Sequence, residues 1–302
     1  MHSDTHFHFS ILREDEEWSR QKILQAMAAS GFRFALDIGT DCDDLASRQN
    51  LFEKTFSAME ASGQDGKAAA AVCKKFMYFS AGIWPDPDSI KNRNFCLETL
   101  KKNVLAAQAS KDPFKKKLCA LGEFGLDHHW NPSGADGRSL DDFDESMIKG
   151  ERELFMEQLA MAKEFNLPAI IHSRDAAAET LECVKESGWG GRSVIHCYSY
   201  GVDEARAFLN EGCMISFSGS VTYAKKSKIE ETRALLAFVP QDRILLETDA
   251  PYLAPVPQRG KANNPNYIEW TYKFVAAARG VSEESLCQTV AQNAQKFFNV
   301  DL

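Results

Sequence analysis

Six residues able to hold a divalent cation stand at the ends of separate apolar runs in this chain. They are His6 and His8 in SDTHFHF, Glu123 in LGEFGLD, His172 in AIIHSRD, His196 in SVIHCYS and Asp249 in LLETDAPYL, and they include four of the seven histidines. Imidazole and carboxylate without thiolate suit Zn, Mn or Mg, and they suit hydrolysis by metal-activated water. His6 and His8 are two apart, so on a strand both imidazoles face one side and reach one ion. Asp4, just before them, is placed to orient an imidazole from behind. Glu123 lies inside an apolar run, and facing inward it needs a cation, because a buried unpaired carboxylate is costly. Gly122 and Gly125 beside it allow close approach of backbone or ligand. His172 and His196 close the two most apolar runs at matching positions. Asp249 either caps a turn before Pro251 or joins the cluster.

Two sets follow. His6, His8 and Asp249 surround one ion, with Glu123 between, and His172 and His196 approach a second ion from the other side of Glu123. A carboxylate joining two ions about 3.5–4 Å apart is a geometry used in phosphoester hydrolysis. Glu123 is thereby a catalytic candidate as well as a ligand. Asp249 is a candidate to orient the attacking water or take its proton.

Such residues meet only if the fold brings distant strand ends together. Strand-like runs cover 3–9, 33–40, 76–83, 118–126, 168–172, 192–197, 213–218 and 243–248. Amphipathic stretches lie between them at 16–30 (stopped by Gly31), 45–62, 90–109, 151–166, 176–187, 203–210 and 229–238. Two further helices are expected at 268–279 and 283–298. Eight βα units predict a (β/α)8 TIM barrel with extra C-terminal helices, one domain over 1–302. An open doubly wound sheet is the alternative. It would gather ligands at one switch point, whereas these come from strands one, four, five, six and eight. In a closed ring the eighth strand neighbours the first, so Asp249 faces His6 and His8. The polar segment 131–149 breaks the rhythm after the fourth strand and reads as a lid or a tolerated excursion.

Bulk properties narrow the class. With 302 residues, 44% hydrophobic content and a net charge of -8, the chain does not coat nucleic acid through overall charge. No apolar run reaches membrane length, and MHSDTHFHFS has no signal-peptide core. Eight cysteines without a C-x-x-C spacing read as reduced core thiols of a cytoplasmic protein. A local basic run, Lys225, Lys226 and Lys228, follows the seventh strand and would open onto the face of the ligands. It could guide a phosphate backbone, or merely solvate a helix start. The lysines at 115–117 precede the fourth strand and belong to the opposite face.

On these residues the chain resembles the TatD family of metal-dependent deoxyribonucleases, within the amidohydrolase-like barrels. DTHFHF is similar to the family's opening D-T/S-H-x-H, GEFGLD to its G-E-x-G-L-D block, and IIHSRDA to its I-H-x-R-x-A block. VIHCYS, LLETDAPYLAP, RGKANNP and the final NAQKFF follow in the family's order, so the likeness runs nearly end to end. The resemblance implies a hydrolase with two divalent ions that trims DNA, often from the 3′ end; some relatives are linked to ester cleavage on aminoacylated tRNA. It also implies phosphate contacts by Arg174, Tyr252, Arg259, Lys261 and Asn263. The implied partner is a nucleic acid, DNA first, with no membrane; a monomer is compatible.

Three departures bear on substrate preference. Ser10 stands where the family usually has aspartate, Trp84 in GIWPD replaces the histidine of G-x-H-P, and the 131–149 segment is long. Trp84 would end the third strand on the catalytic face, where its ring can stack on a base or pack the rim. One rival reading is a barrel hydrolase of another ester or an amide, whose metals a carboxylated lysine often joins. The strand-four position here holds Glu123, with Lys117 only at the strand's start. The other rival is a non-catalytic metal-binding scaffold, against which the full ligand set argues.

Overall fold

The structure, a computed structural model, describes residues 1–131 and 139–301. Eight strands form one parallel sheet in chain order: β1 (Ser3–Phe7), β2 (Phe34–Asp37), β3 (Met77–Ala81), β4 (Leu118–Asp127), β5 (Ala169–Arg174), β6 (Ser193–Ile195), β7 (Met214–Phe217) and β8 (Ile244–Leu246). Most of their residues are buried, because helices cover the outside and side chains fill the inside. The ring closes between its first and last members. His8 N–H donates to the Ala250 carbonyl at 2.8 Å, and Asp249 N–H donates to the His6 carbonyl at 2.9 Å. The expected barrel is therefore present, and its closure acts directly on three candidate ligands.

Helices α1 (Arg20–Ala29), α2 (Leu45–Ala61), α3 (Gln64–Phe76), α4 (Pro87–Lys91), α5 (Arg93–Gln108), α6 (Glu145–Glu164), α7 (Ala177–Ser187), α8 (Val202–Asn210) and α9 (Ile229–Phe238) surround it. The chain then runs through α10 (Ile268–Arg279) and α11 (Glu283–Phe298), the two C-terminal helices the sequence predicts. Side-chain caps start several of them: Ser19 accepts from Lys22 N–H, Asp144 from Met147 N–H and Ser282 from Ser285 N–H. Helix α3 is an addition to the expected pattern. Its alanine run, AAAA, favours helix, and Gly66, Ala70 and Cys73 give it a narrow buried stripe. Helix α6 begins at Glu145 rather than 151, so the polar excursion is shorter than its composition implies. Residues 139–149 of that segment hold a short 3-10 turn, Leu140–Phe143, and the first turn of α6, while 132–138 lie outside the described residues.

Aromatic packing anchors the layers. Phe9 stacks on Phe52 at 3.9 Å, and Phe52 meets Phe79 and Phe56. At the other end of the barrel Phe298 of α11 stacks on Phe34 at 5.0 Å. The eight cysteines are free thiols, all but Cys197 buried. Among the described residues no helix is long and apolar enough to cross a membrane.

Candidate metal centre

The six candidate ligands converge on one carboxylate. Glu123 Oε2 lies 2.6 Å from His6 Nε2, 3.8 Å from His8 Nε2 and 3.7 Å from His196 Nε2. Glu123 Oε1 is 3.8 Å from His172 Nδ1, which lies 3.1 Å from His196 Nε2. Asp249 Oδ1 closes the other side, 3.4 Å from His8 Nε2 and 3.6 Å from His6 Nε2. Ligand atoms thus group as His6, His8 and Asp249, and as Glu123, His172 and His196. A third group, His6, His196 and Glu247, was not foreseen.

Local backbone geometry makes this possible. Gly122 and Gly125 have φ of 139° and 157°, and β4 runs so close to β5 that a Cβ on Gly125 would lie 1.9 Å from the His172 carbonyl oxygen. Side chains are excluded there, so β4 can deliver Glu123 beside His172. Asp249 has φ 55°, a left-handed turn just past β8 that aims its carboxylate back at β1.

Three acidic residues hold the ligands, and sequence reading missed two of them. Asp127 Oδ2 is 3.0 Å from His172 Nε2, which leaves Nδ1 for the centre. Glu247 Oε1 is 3.3 Å from His196 Nδ1 and accepts from Cys197 N–H at 2.6 Å, while its Oε2 accepts from Ser216 Oγ at 2.5 Å. Both sat inside motifs already noted, GEFGLD and LLETD. The signal was a charge in or beside an apolar run, for which only distant partners give a reason. Asp4 corrects the expectation: it orients no imidazole. Its carboxylate accepts from Thr248 N–H and hydroxyl and from His6 N–H, tying β1 to the segment that carries Asp249. Burial pushes the Asp4 pKa up to about 8.

Substrate candidates fall into distinct places. Trp84 stands edge-on to His172 at 5.8 Å, and exposed Tyr252 edge-on to His8 at 6.2 Å. Arg174 is exposed at the end of β5, and Lys225, Lys226 and Lys228 are exposed on the connection after β7. Arg259 lies over the Tyr223 ring at 4.4 Å, with exposed Lys261 nearby in the same loop. Asn263 is buried. Its Nδ2 donates to the carbonyls of Thr248 and Tyr252, which makes it a brace behind the Tyr252 loop. Lys117 is far from these groups in the fold: its Nζ donates to the carbonyls of Lys74 and Lys75 before β3.

The donor set fits a divalent cation. Glu123 Oε2 is buried and accepts no well-directed hydrogen bond, although three imidazole nitrogens face it. Burial pushes the Glu123 carboxyl up, but the charges of His196 and His6 outweigh it and hold the group well below the usual carboxylate range. Two carboxylates and four imidazoles crowded into a buried space meet a cation's needs better than one another's.

The family profile described as TatD related DNase matches residues 3–299. The chain is 35% identical over 226 residues to the uncharacterized metal-dependent hydrolase YcfH of Escherichia coli K12, covering 74% of each. It is 33% identical over 288 residues to the 3′-5′ ssDNA/RNA exonuclease TatD of Pantoea vagans, covering 93% of this chain and 94% of that one. Among solved structures, the TatD homolog YjjV of Escherichia coli K12 shares the fold, with a TM-score of 0.76, 24% identity and coverage of 99% and 98%. A TatD family hydrolase from Entamoeba histolytica does so too, at a TM-score of 0.67, 17% identity and 98% coverage of each chain. A closed parallel barrel with a histidine–carboxylate cluster at one end, matched almost end to end by that profile, places this chain in the TatD-related DNase family of metal-dependent hydrolases.

Proposed function

We propose that this protein hydrolyses phosphodiester bonds, acting as a DNA exonuclease of TatD type with two divalent ions. The observation that carries the reading is Glu123, whose Oε2 faces His6, His8 and His196 while its Oε1 faces His172, so that one carboxylate stands between both ligand groups. The likeness to a relative named as a 3′-5′ ssDNA/RNA exonuclease supports the choice of substrate. His6, His8, Asp249 and Glu123 would hold one ion, and Glu123, His172 and His196 the other. Two ions of the Mg, Mn or Zn class would polarise the phosphoryl oxygens and lower the pKa of bound water.

The chain's own groups do the rest. Asp249, beside His6 and His8 yet still partly open, takes the proton of the attacking water. Asp127 and Glu247 fix which imidazole nitrogens face Glu123. Trp84 and Tyr252 offer flat rings next to His172 and His8, where bases flanking the scissile bond can rest. Arg174 and Lys261, exposed near this end, serve as phosphate contacts. Lys117, at the start of the strand that carries Glu123, donates to the carbonyls of Lys74 and Lys75, which favours this reading over an amide hydrolase with a carboxylated lysine.

The test incubates purified protein with labelled single- and double-stranded DNA, RNA and simple esters, with Mg, Mn, Zn or chelator. Strand shortening that chelator abolishes and a divalent ion restores is expected. Undiminished cleavage by protein shown metal-free by elemental analysis would refute the mechanism. Ester cleavage without any attack on DNA or RNA would refute the substrate.

A further inference from the structure

The opposite end of the barrel carries a second, chemically different cavity. The starts of β3, β4, β5 and β6 and the tail after α11 enclose about 670 Å3 there. Lys74, Lys75, Lys116, Lys117 and Arg192 line it, against one acidic side chain in the lining, Asp301. In a chain of net charge -8 this is a local reversal. Lys74 pairs with Glu60 at 2.8 Å, but among the described residues the other four cations have no carboxylate within ion-pair distance.

Two of those cations are partly withdrawn from water. Lys117 lies over the Tyr78 ring at 4.2 Å and donates only to main-chain carbonyls. Burial pulls its pKa down to about 8. Arg192 donates to the carbonyls of Phe297 and Asn166, its Nε is buried without a partner, and burial lowers its pKa as well. A cation desolvated without a counter-charge is a standing cost that an incoming anion relieves. Half-buried Val300 and the edges of the otherwise buried Leu118, Leu167 and Phe298 supply the apolar part of the lining beside this charge. The size falls within the range of small-molecule sites, and arginine with lysines is the side-chain chemistry of phosphate recognition.

We propose that this cavity is a second ligand site, separate from the metal centre, for a phosphorylated small molecule of nucleotide size. The cations take the phosphate and the apolar part of the lining takes the body. The assignment does not depend on the reaction at the metal centre.

The test uses full-length protein kept in chelator, so that phosphate cannot be held through metal. Calorimetric titration with dAMP, deoxyadenosine and inorganic phosphate is the measurement. Saturable binding of dAMP is expected, with none for deoxyadenosine and weaker binding for phosphate. Lys75 and Lys116 are exposed, so the double reversal K75E/K116E should fold normally by circular dichroism; it should weaken dAMP by roughly ten-fold or more. The reversal K225E/K226E, at the other end, should leave dAMP binding unchanged. Near pH 8.5 binding should take up protons as Lys117 recharges, seen as a buffer-dependent heat. No dAMP binding at millimolar concentration would overturn the proposal, as would binding that survives K75E/K116E or is lost with K225E/K226E. Phosphate binding as tightly as dAMP would overturn the nucleotide-sized assignment.

Discussion

The imidazoles of His6 and His196 stack face to face, with centroids 4.0 Å apart and planes 7° from parallel, although they come from the first strand and the end of the sixth. Their Nε2 edges look toward Glu123, and Nδ1 of His196 looks toward Glu247. A ring that donates from Nδ1 keeps its lone pair on Nε2, which is the form a metal needs. We propose that Glu247 acts on His196 in this way, from 3.3 Å and without a well-directed hydrogen bond. Replacing Glu247 with Ala should weaken metal binding by roughly 10–100-fold. The buried Ser216 hydroxyl also loses its acceptor, at about 1–3 kcal/mol of stability if left unpaired, and the half-buried Cys197 N–H loses one too. Glu247→Gln keeps an acceptor oxygen and should recover part of both. Metal titration and thermal melting read the two effects, and unchanged metal affinity in Glu247→Ala would remove Glu247 from the centre.

Glu123 and Asp249 should separate binding from turnover. Glu123 stands between both ligand groups, so Glu123→Ala should lower metal stoichiometry and activity together. Asp249→Asn keeps an oxygen at the edge of one group and should retain most of the metal while turnover falls about 10²–10⁴-fold, the usual loss for a general base. Elemental analysis beside single-turnover rates distinguishes them. Two ions and near-normal rates in Glu123→Ala would show that it is not shared.

Trp84 touches His172, so its role must be separated from metal support. Trp84→Ala should raise KM for single-stranded DNA by roughly 5–150-fold, the worth of one stacked base. Cleavage of bis(p-nitrophenyl) phosphate and metal affinity should stay close to wild type. Equal losses on the small and the long substrate would mean that the ring only packs the rim.

Lys225, Lys226 and Lys228 are exposed on the connection that leaves the C-terminal end of β7. Replacing all three with Ala should raise KM for long DNA and flatten its salt dependence, by about one unit of log–log slope for each lost phosphate contact. Cleavage of a small phosphodiester should barely change. A charge-matched variant of the helix lysines Lys54, Lys67 and Lys185 is the control. Equal effects from both would leave net charge as the whole explanation.

How much of this was legible beforehand follows from what each residue answers to. The candidate ligands were readable because each breaks or ends an apolar run, a local mark that needs no partner to be seen. The eight strands and the last two helices were readable for the same reason, since hydrophobic period and length are written along the chain. Helix α3 escaped because its buried face is built mostly from small residues, Gly66, Ala70 and Cys73, which do not stand out as an apolar period. Asp127 and Glu247 escaped because their meaning lies in His172 and His196, which reach them only through pairing of β4 with β5 and closure of the barrel. Asp4 and Asn263 carried the right chemistry in the wrong role: hydrogen bonds across the β1–β8 seam turned one from an imidazole support into a strand tie, and burial behind Tyr252 turned the other into a brace. Composition and periodicity determined which residues could bind a cation and what kind of barrel would carry them. Strand pairing and ring closure decided which of their neighbours complete the site, because a hydrogen bond between two buried polar groups depends on angstroms of placement that no local pattern encodes.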